Sequence, residues 1–383
     1  MTAVETRPPN DTAPSGSPPR FGDTRRIRVR SFGAAEAGEL MAAFVAALAL
    51  VWLIYERLTP LSGGLGFWVC VYVAFVWIAW FIAREQRGAV VARDQVARIV
   101  IWSGGIGILI PLALIVGVVI GRGYHALRPH FFTQDRHLVG SAESASSGGG
   151  SGAIVGTLEQ VGLAMLISVP LGVTTAIFLN EIGGWLARPV RIIVDAMSAI
   201  PSIIAGLFIF AALIVQFHFR SEGFTGALAL SVLMLPTVTR MTELVLRLVP
   251  GGLREASLAL GSTEWRTTRH VVLPTSRSGI VTAVILGVAR VIGETAPLLL
   301  TLGATKVFNA NPFNHNPQDS LSVMVYTQFR LSQSSTIDRA WTAALVLLIL
   351  ILVLFVTARL VGGRGAGHIG RFRRLRLARK GLA

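Results

Sequence analysis

The sequence predicts an all-α, polytopic membrane protein with about eight transmembrane helices. Three observations carry that prediction. Of 383 residues, 52% are hydrophobic and only 14% are charged, about half the charged share of a soluble domain. The apolar residues fall in runs near the ~20-residue length that a helix needs to cross a hydrocarbon core of about 30 Å. The 35 Lys and Arg side chains lie almost entirely between those runs. With a mean hydropathy of +0.63, the chain could not solvate its surface as a one- or two-domain soluble enzyme. A formal charge of +15 points to nucleic acid or to an anionic membrane surface, and the placement of the charges selects the membrane.

Taken in order, residues 1–38 form a basic leader rich in Pro, Thr and Arg, without apolar periodicity, and are expected to be disordered. The spans are 40–57, 65–83, 99–121, 154–179, 197–217, 224–246, 279–301 and 341–361. The first reads as a span rather than a cleavable signal, because a long polar leader precedes it and no clear small-residue cleavage site follows. Segment 141–152, SAESASSGGGSG, reads as a flexible external linker. Segment 303–339 is a second external loop, Asn- and Pro-rich at first, then amphipathic in LSVMVYTQF, a pattern suited to a membrane surface or a partner. Residues 362–383 form a basic tail.

Placing the N-terminus inside and alternating the spans puts 25 basic residues on the inner side and eight outside. The inner set includes Arg84, Arg87, Arg93 and Arg98 of one loop and the Arg-rich tail. This bias obeys the positive-inside rule with both termini cytoplasmic, and it identifies a multi-pass plasma-membrane protein in contact with lipid, with no need for nucleic acid. The two basic residues left over, Arg240 and Arg290, lie within spans.

Several chemistries are missing. A phosphate-cradling loop needs Gly-x4-Gly-Lys-Ser/Thr, and the only lysines are Lys306 and Lys380 in unrelated contexts. Any ATP used must therefore be hydrolysed by another chain. One cysteine, Cys70, excludes intrachain disulfides and an all-Cys metal site. His125, His130 and His137 share one external loop and read as solvated histidines rather than metal ligands. Nothing marks a nucleophile or a general base, so no enzymatic activity and no bound cofactor or metal are expected.

The loop between the sixth and seventh spans is the most informative stretch. Leu253 to Leu260 can form a short helix, ended by Gly261, and Glu264 to Val272 a second, which Pro274 is expected to stop. Its residues Glu255, Ala256, Gly261, Leu273 and Pro274 resemble, with all spacings intact, the "EAA loop" of ABC-importer permeases, Glu-Ala-Ala-x3-Gly-x9-Ile-x-Leu-Pro. Ser257 stands where that pattern has Ala, and Val271 where it has Ile. The resemblance implies that the loop, about 250–275, docks in a groove of an ATP-binding subunit, with Arg254, Arg266 and Arg269 flanking the docking surface.

Further runs, Gly293-Glu294-Thr295-Ala296-Pro297-Leu298-Leu299 and Pro201-Ser202-Ile203-Ile204-Ala205-Gly206, are similar to phosphate permeases of the PstA type. The resemblance covers 99–361 as a six-span permease core and leaves 39–98 as two additional N-terminal helices. It implies half of the translocation pathway of an ATP-driven phosphate importer. The other partners would be a second permease subunit, a dimer of ATP-binding subunits that uses the ATP, and an extracytoplasmic phosphate-binding protein. An ABC permease for another anion or solute, or an ion-gradient-driven secondary transporter, is the alternative.

Physics singles out the seventh span independently. Arg290 stands about a dozen residues into it, with Glu294 four residues on and on the same helical face if the helix is continuous. A charge at that depth costs at least about 2.5–3.5 kcal/mol, so it normally faces a cavity or a partner. The two readings are a structural Arg290–Glu294 pair and a cation in the substrate path. Arg240 near the inner end of the sixth span lines the vestibule or snorkels to the headgroups, with Glu243 in reach. Pro201 and Ser202 complete the pathway candidates, because a proline break places backbone polar groups at a cavity.

Overall fold

The computed structural model describes residues 34–58, 63–140, 142–144 and 146–362. The basic leader and tail therefore lie outside the described residues, apart from 34–38 and Gly362, which belong to helices. The described chain is helical, and seven of its helices are long and apolar enough to span a membrane, or eight with one bent pair. It divides into two compact units, one ending at Pro111 and one beginning at Leu112.

The first unit holds α1 (Ala34–Leu53), which widens into a π-turn at Ile54–Leu58, α2 (Gly64–Arg87), and the first part of α3 (Ala89–Gly123). Ala43 of α1, Ala79 of α2 and Ile99 of α3 form its buried cluster. Small side chains at such crossings let helix backbones approach where lipid offers no hydrophobic drive. Gly88, at φ +88°, is the single-residue joint between α2 and α3 and donates its N–H to the Arg84 carbonyl. Arg87 pairs with Glu36 and Glu39, and Arg98 with Glu36.

In the second unit, α4 (Ser151–Ile177, continued as a π-turn to Ile182), α7 (Gly223–Arg247) and α10 (Leu273–Val291) build the centre. Val161, Ala164, Leu230, Leu233, Met234 and Val291 are buried there. A Cβ on Gly172 or Gly287 would press on Val238 at 3.0 and 2.8 Å, so glycine on α4 and α10 is what lets both close on α7. The long α13 (Ser334–Gly362) completes the unit.

The break expected at Pro201 is present, and three other expectations are corrected. In the fifth span α5 (Ala187–Ala199) and the segment Ser202–Gln216, whose first part is α6 (Ser202–Ile209), meet at 106°. Pro201 removes an N–H, and its ψ of 141° turns the chain out of the helix. Pro274 does not stop its helix. The short α9 (Glu264–Thr267) runs through a π-turn, Thr268–Val272, into α10 as one rod, Glu264–Val291. Pro274 stands where the π-turn gives way to α10, so its missing N–H falls at an irregular joint of the rod. The glycine run is not a flexible linker. Gly149 and Gly150 donate N–H bonds to the carbonyls of Asp135 (3.1 Å) and Phe131 (2.7 Å), and Ser151 Oγ donates to that of Gln134 (2.7 Å). Side chains on Gly149 or Gly150 would collide with the backbone at 130–134 or the Phe131 ring. The amphipathic stretch is α12 (Leu321–Arg330), and its apolar face is turned into the fold. Its Leu321 and Met324 are buried in a cluster with Phe131, Ala343 and Val346.

Polar bonds fasten the external lobe to the helices. Gln160 of α4, fully buried, donates to the Gln318 side-chain oxygen at 2.9 Å and to the Asp319 carbonyl at 3.1 Å. Asp319 and Arg136 form a buried ion pair. Burial pushes the Asp319 carboxyl up to about 6, and Arg136 opposes the rise.

Two predictions follow from this packing. A Cβ on Gly156 would overlap the Asp319 carbonyl, whereas one on Gly162 of the same helix meets nothing. Gly156→Ala should therefore lower stability by about 1–3 kcal/mol, and Gly162→Ala should leave it unchanged or raise it by up to about 1 kcal/mol; thermal unfolding in detergent reads both. Arg136→Gln strands a buried carboxylate, at a cost of about 3–5 kcal/mol. With its cation gone, the Asp319 pKa stands higher still in the folded state than in the unfolded one. Stability is then kept at low pH and lost as pH rises through that value, so the variant's unfolding midpoint should recover on acidification from pH ~7 to ~5 more than the wild type's.

Candidate functional site

Two regions carry the predicted residues. The first is an elbow at the ends of α4, α7 and α10, built by α8 (Gly251–Ala259) and α9. Gly261 holds φ +83°, a left-handed conformation natural to glycine, and donates its N–H to the Leu258 carbonyl at 2.9 Å. The chain then reverses, and Thr263 caps α9 by accepting the Arg266 N–H at 3.3 Å. The Ser257 hydroxyl meets that of Thr267 at 2.9 Å and so joins α8 to α9, a bond that alanine could not make. Leu273 packs into a cluster with Ala176, Leu246, Val249 and Val272, anchoring the elbow to α4 and α7; Pro274 beside it is exposed.

Arg254 was expected to flank a docking surface, but it is turned inward. Its guanidinium donates to Glu181 Oε1 and Oε2 at 2.8 and 3.2 Å, and to the carbonyls of Leu246 and Val249 at 2.9 Å each. Five donors on a rigid fork suit this bridging of a carboxylate and a helix C-terminus. Arg266 and Arg269 remain exposed, as do Glu255 and Ala256. Beside them Leu260 is 88% and Trp265 61% exposed. The elbow is thus a rigid projection with an apolar, partly charged outer surface.

The second region is a pair of helix breaks. α10 ends at Val291, and α11 (Ala296–Thr301) restarts after 292–295, with Pro297 in its first turn. The break separates Arg290 from Glu294, so the one-face pair does not form. Arg290 is exposed and bonds no group among the described residues. Glu294 is half-buried, and its carbonyl accepts the Ser322 hydroxyl of α12 at 2.9 Å. α6 reaches the same place, since a Cβ on its Gly206 would overlap Pro297. The structure thereby brings the helix that follows Pro201 and Ser202 onto the break that follows Arg290.

Arg240 is not part of that assembly. Its guanidinium is held by Asp195 and by Glu243, at 3.0 Å from the latter. Glu243, 3% exposed, also takes Arg191 at 2.7 Å and Arg247 at 2.6 Å. The Arg240–Glu243–Arg247 spacing, i, i+3 and i+7, was visible in the sequence. The contributions of Arg191 and Asp195 depend on how α5 lies on α7, for which the sequence holds no local signal.

Residues 168–364 match the family described as the binding-protein-dependent transport system inner membrane component. The chain belongs to that family. The matched residues contain both the elbow and the two breaks, and begin within α4. Among the relatives of this transport component is the phosphate transport system permease protein PstA 1 of Mycobacterium tuberculosis (strain H37Rv). It is 39% identical over 271 residues, which are 70% of this chain and 87% of that one. PstA of Mycobacterium leprae is 39% identical over 260 residues, 68% of this chain and 85% of that one. A solved structure of the MetNI methionine ABC transporter in inward-facing form is 22% identical over 56% of this chain and 94% of that chain, with a TM-score of 0.42.

The Arg254 anchor gives a direct test. Arg254→Gln loses the fork and leaves Glu181, 9% exposed at its side chain, without its cation. Stability should fall by about 1.5–3 kcal/mol, and the amides of α8 should exchange with deuterium faster than those of α7, as exchange mass spectrometry will show.

Proposed function

We propose that the chain is the membrane-spanning permease subunit of an ATP-driven importer of inorganic phosphate. It forms half of the translocation pathway and is coupled by the elbow to an ATPase on a separate subunit. The names of its relatives support the substrate. A second permease subunit, a dimer of ATP-binding subunits and an extracytoplasmic phosphate-binding protein complete the transporter. The chain is not itself catalytic, and ATP is used only by its partner. Both termini face the cytoplasm, so the elbow meets the ATPase on the inner side.

The observation that carries the mechanism is the continuity of Glu264–Val291. One rod of 28 residues, about 40 Å at 1.5 Å per residue, has the exposed Trp265 at one end and Arg290 at the other. A displacement imposed on the elbow travels along it without a joint, because Arg254, Leu273 and the Ser257–Thr267 bond fix the elbow to the helix ends. The break at 292–295 absorbs the motion, since no helical hydrogen-bond ladder has to shear there. Arg290 then changes its exposure to the path on each cycle. Its cation, free of Glu294, attracts a phosphate dianion, and the break beside it supplies backbone polar groups. Pro201 and Ser202 border the same path from α6.

Phosphate uptake tests this in cells lacking other phosphate importers. Arg290→Gln should lower uptake at least about tenfold, a loss of ~1.4 kcal/mol in the limiting step, while the assembled transporter still forms and hydrolyses ATP. Leu260→Asp with Trp265→Asp should instead prevent the ATP-binding subunits from co-purifying. Full uptake by the Arg290 variant would remove Arg290 from the pathway.

A further inference from the structure

The first unit holds cations that no carboxylate of its fold neutralises. Of the four arginines at the loop end of α2 and α3, Arg87 and Arg98 are neutralised by Glu36 and Glu39. The other two are not. Arg84 stacks its guanidinium over the Trp80 ring, 4.9 Å from the centroid, and Arg93 is exposed; neither has a carboxylate partner among the described residues, and Glu85 and Asp94 bond neither.

Arg93 and Trp80 also line a crevice of about 460 Å³, with Val96, Ala97, Val100 and Ile101 along its wall. From Arg93 to Ile101 the wall is about 12 Å long at 1.5 Å per residue. One end is therefore cationic and aromatic, at the level where a span gives way to its loop, and the rest is apolar. A tryptophan at that level belongs to the membrane interface. Arginine forks match phosphate oxygens, and a basic pocket at a helix loop attracts anionic headgroups by about 1 kcal/mol per residue. A soluble anion would use only the mouth and leave the apolar wall bare.

We propose that this crevice binds one anionic phospholipid. The phosphate and headgroup sit between Arg84 and Arg93, the glycerol region lies against Trp80, and the first part of an acyl chain lies along Val96 to Ile101.

The test uses the full chain in neutral detergent, titrated separately with phosphatidylglycerol, phosphatidylcholine and inorganic phosphate, with retained lipid counted by native mass spectrometry. Phosphatidylglycerol should be held in preference to phosphatidylcholine, and inorganic phosphate should not displace it. Arg84→Gln and Arg93→Gln should each weaken its binding about fivefold, the factor for one basic residue at an anionic surface, whereas Arg93→Lys should retain most of it. Ala97→Phe, which fills the crevice, should lower retention without touching a charge. Equal retention of the two lipids, displacement by inorganic phosphate, or wild-type binding by both glutamine variants would overturn the proposal. Both arginines bond no protein carboxylate, so their loss leaves the fold intact. Lipid binding is read without transport, so failure here is distinct from failure of the proposed function.

Discussion

Hydrocarbon offers no hydrogen bonds, so every backbone N–H and C=O at membrane depth must be satisfied within the protein. That constraint shapes the rest of this molecule. It accounts for the unbroken helices, and it limits where a helix can stop. The break at 292–295 lies where other parts of the chain close over it, whereas Pro201 at the other break is exposed. The Glu294 carbonyl is covered by the Ser322 hydroxyl, and α6 lies against Pro297 through a glycine. Proline turns elsewhere are lined with hydroxyls: Thr275 and Ser276 donate to the carbonyls of Val271 and Val272, and Thr237 and Thr239 to those of Leu233 and Leu235. α12 has to be buried for the same reason. Its Ser322 must reach the break, so an amphipathic segment that could have lain on a surface is inside.

The second constraint is charge. Around Glu243 and Glu181 the arginines at the ends of α5, α7 and α8 are gathered by carboxylates, and Arg136 does the same with Asp319. Such groups cost desolvation, and their worth lies in geometry rather than net stability. Arg254, for example, fixes α8 by two carbonyls and a carboxylate at once. Other cations are left without a carboxylate among the described residues, Arg290, Arg84 and Arg93 among them, as are Arg266, Arg269 and Arg277. The formal charge of +15 is therefore not one quantity. Part lies in the termini and loops, part ties helices together through carboxylates, and part has no carboxylate partner among the described residues.

Much of this was legible in the sequence, because one-dimensional patterns report one-dimensional facts. Apolar runs gave seven of the spans directly, and the Gly261 turn followed from a glycine between two short helical patterns. Tertiary relations were not legible. SAESASSGGGSG has the composition of a linker, and only the approach of the 130–135 backbone turns its glycines into a steric requirement. Pro274 looks like a stop signal, and the π-turn before it is what carries the helix past it. Arg290 and Glu294 are four apart, which means one face only while the helix lasts; Gly293 and Pro297 end it between them. In the glycine run a neighbour distant in sequence changed the meaning of the local signal; at Pro274 and at Arg290 the adjoining backbone did.

The separation of Arg290 from Glu294 bears directly on the choice between a structural pair and a working cation. A pair formed on one helix would cancel both charges and satisfy the insertion cost of each, leaving nothing to attract an anion. An arginine kept exposed at the end of α10 and parted from Glu294 by a helix break still carries the cost of at least about 2.5–3.5 kcal/mol. Replacement by leucine would remove that cost at once, so stability gives no reason for arginine there. Under the proposed function, an exposed arginine at a break in an apolar helix, at one end of the rod Glu264–Val291, stands where a pathway group is needed.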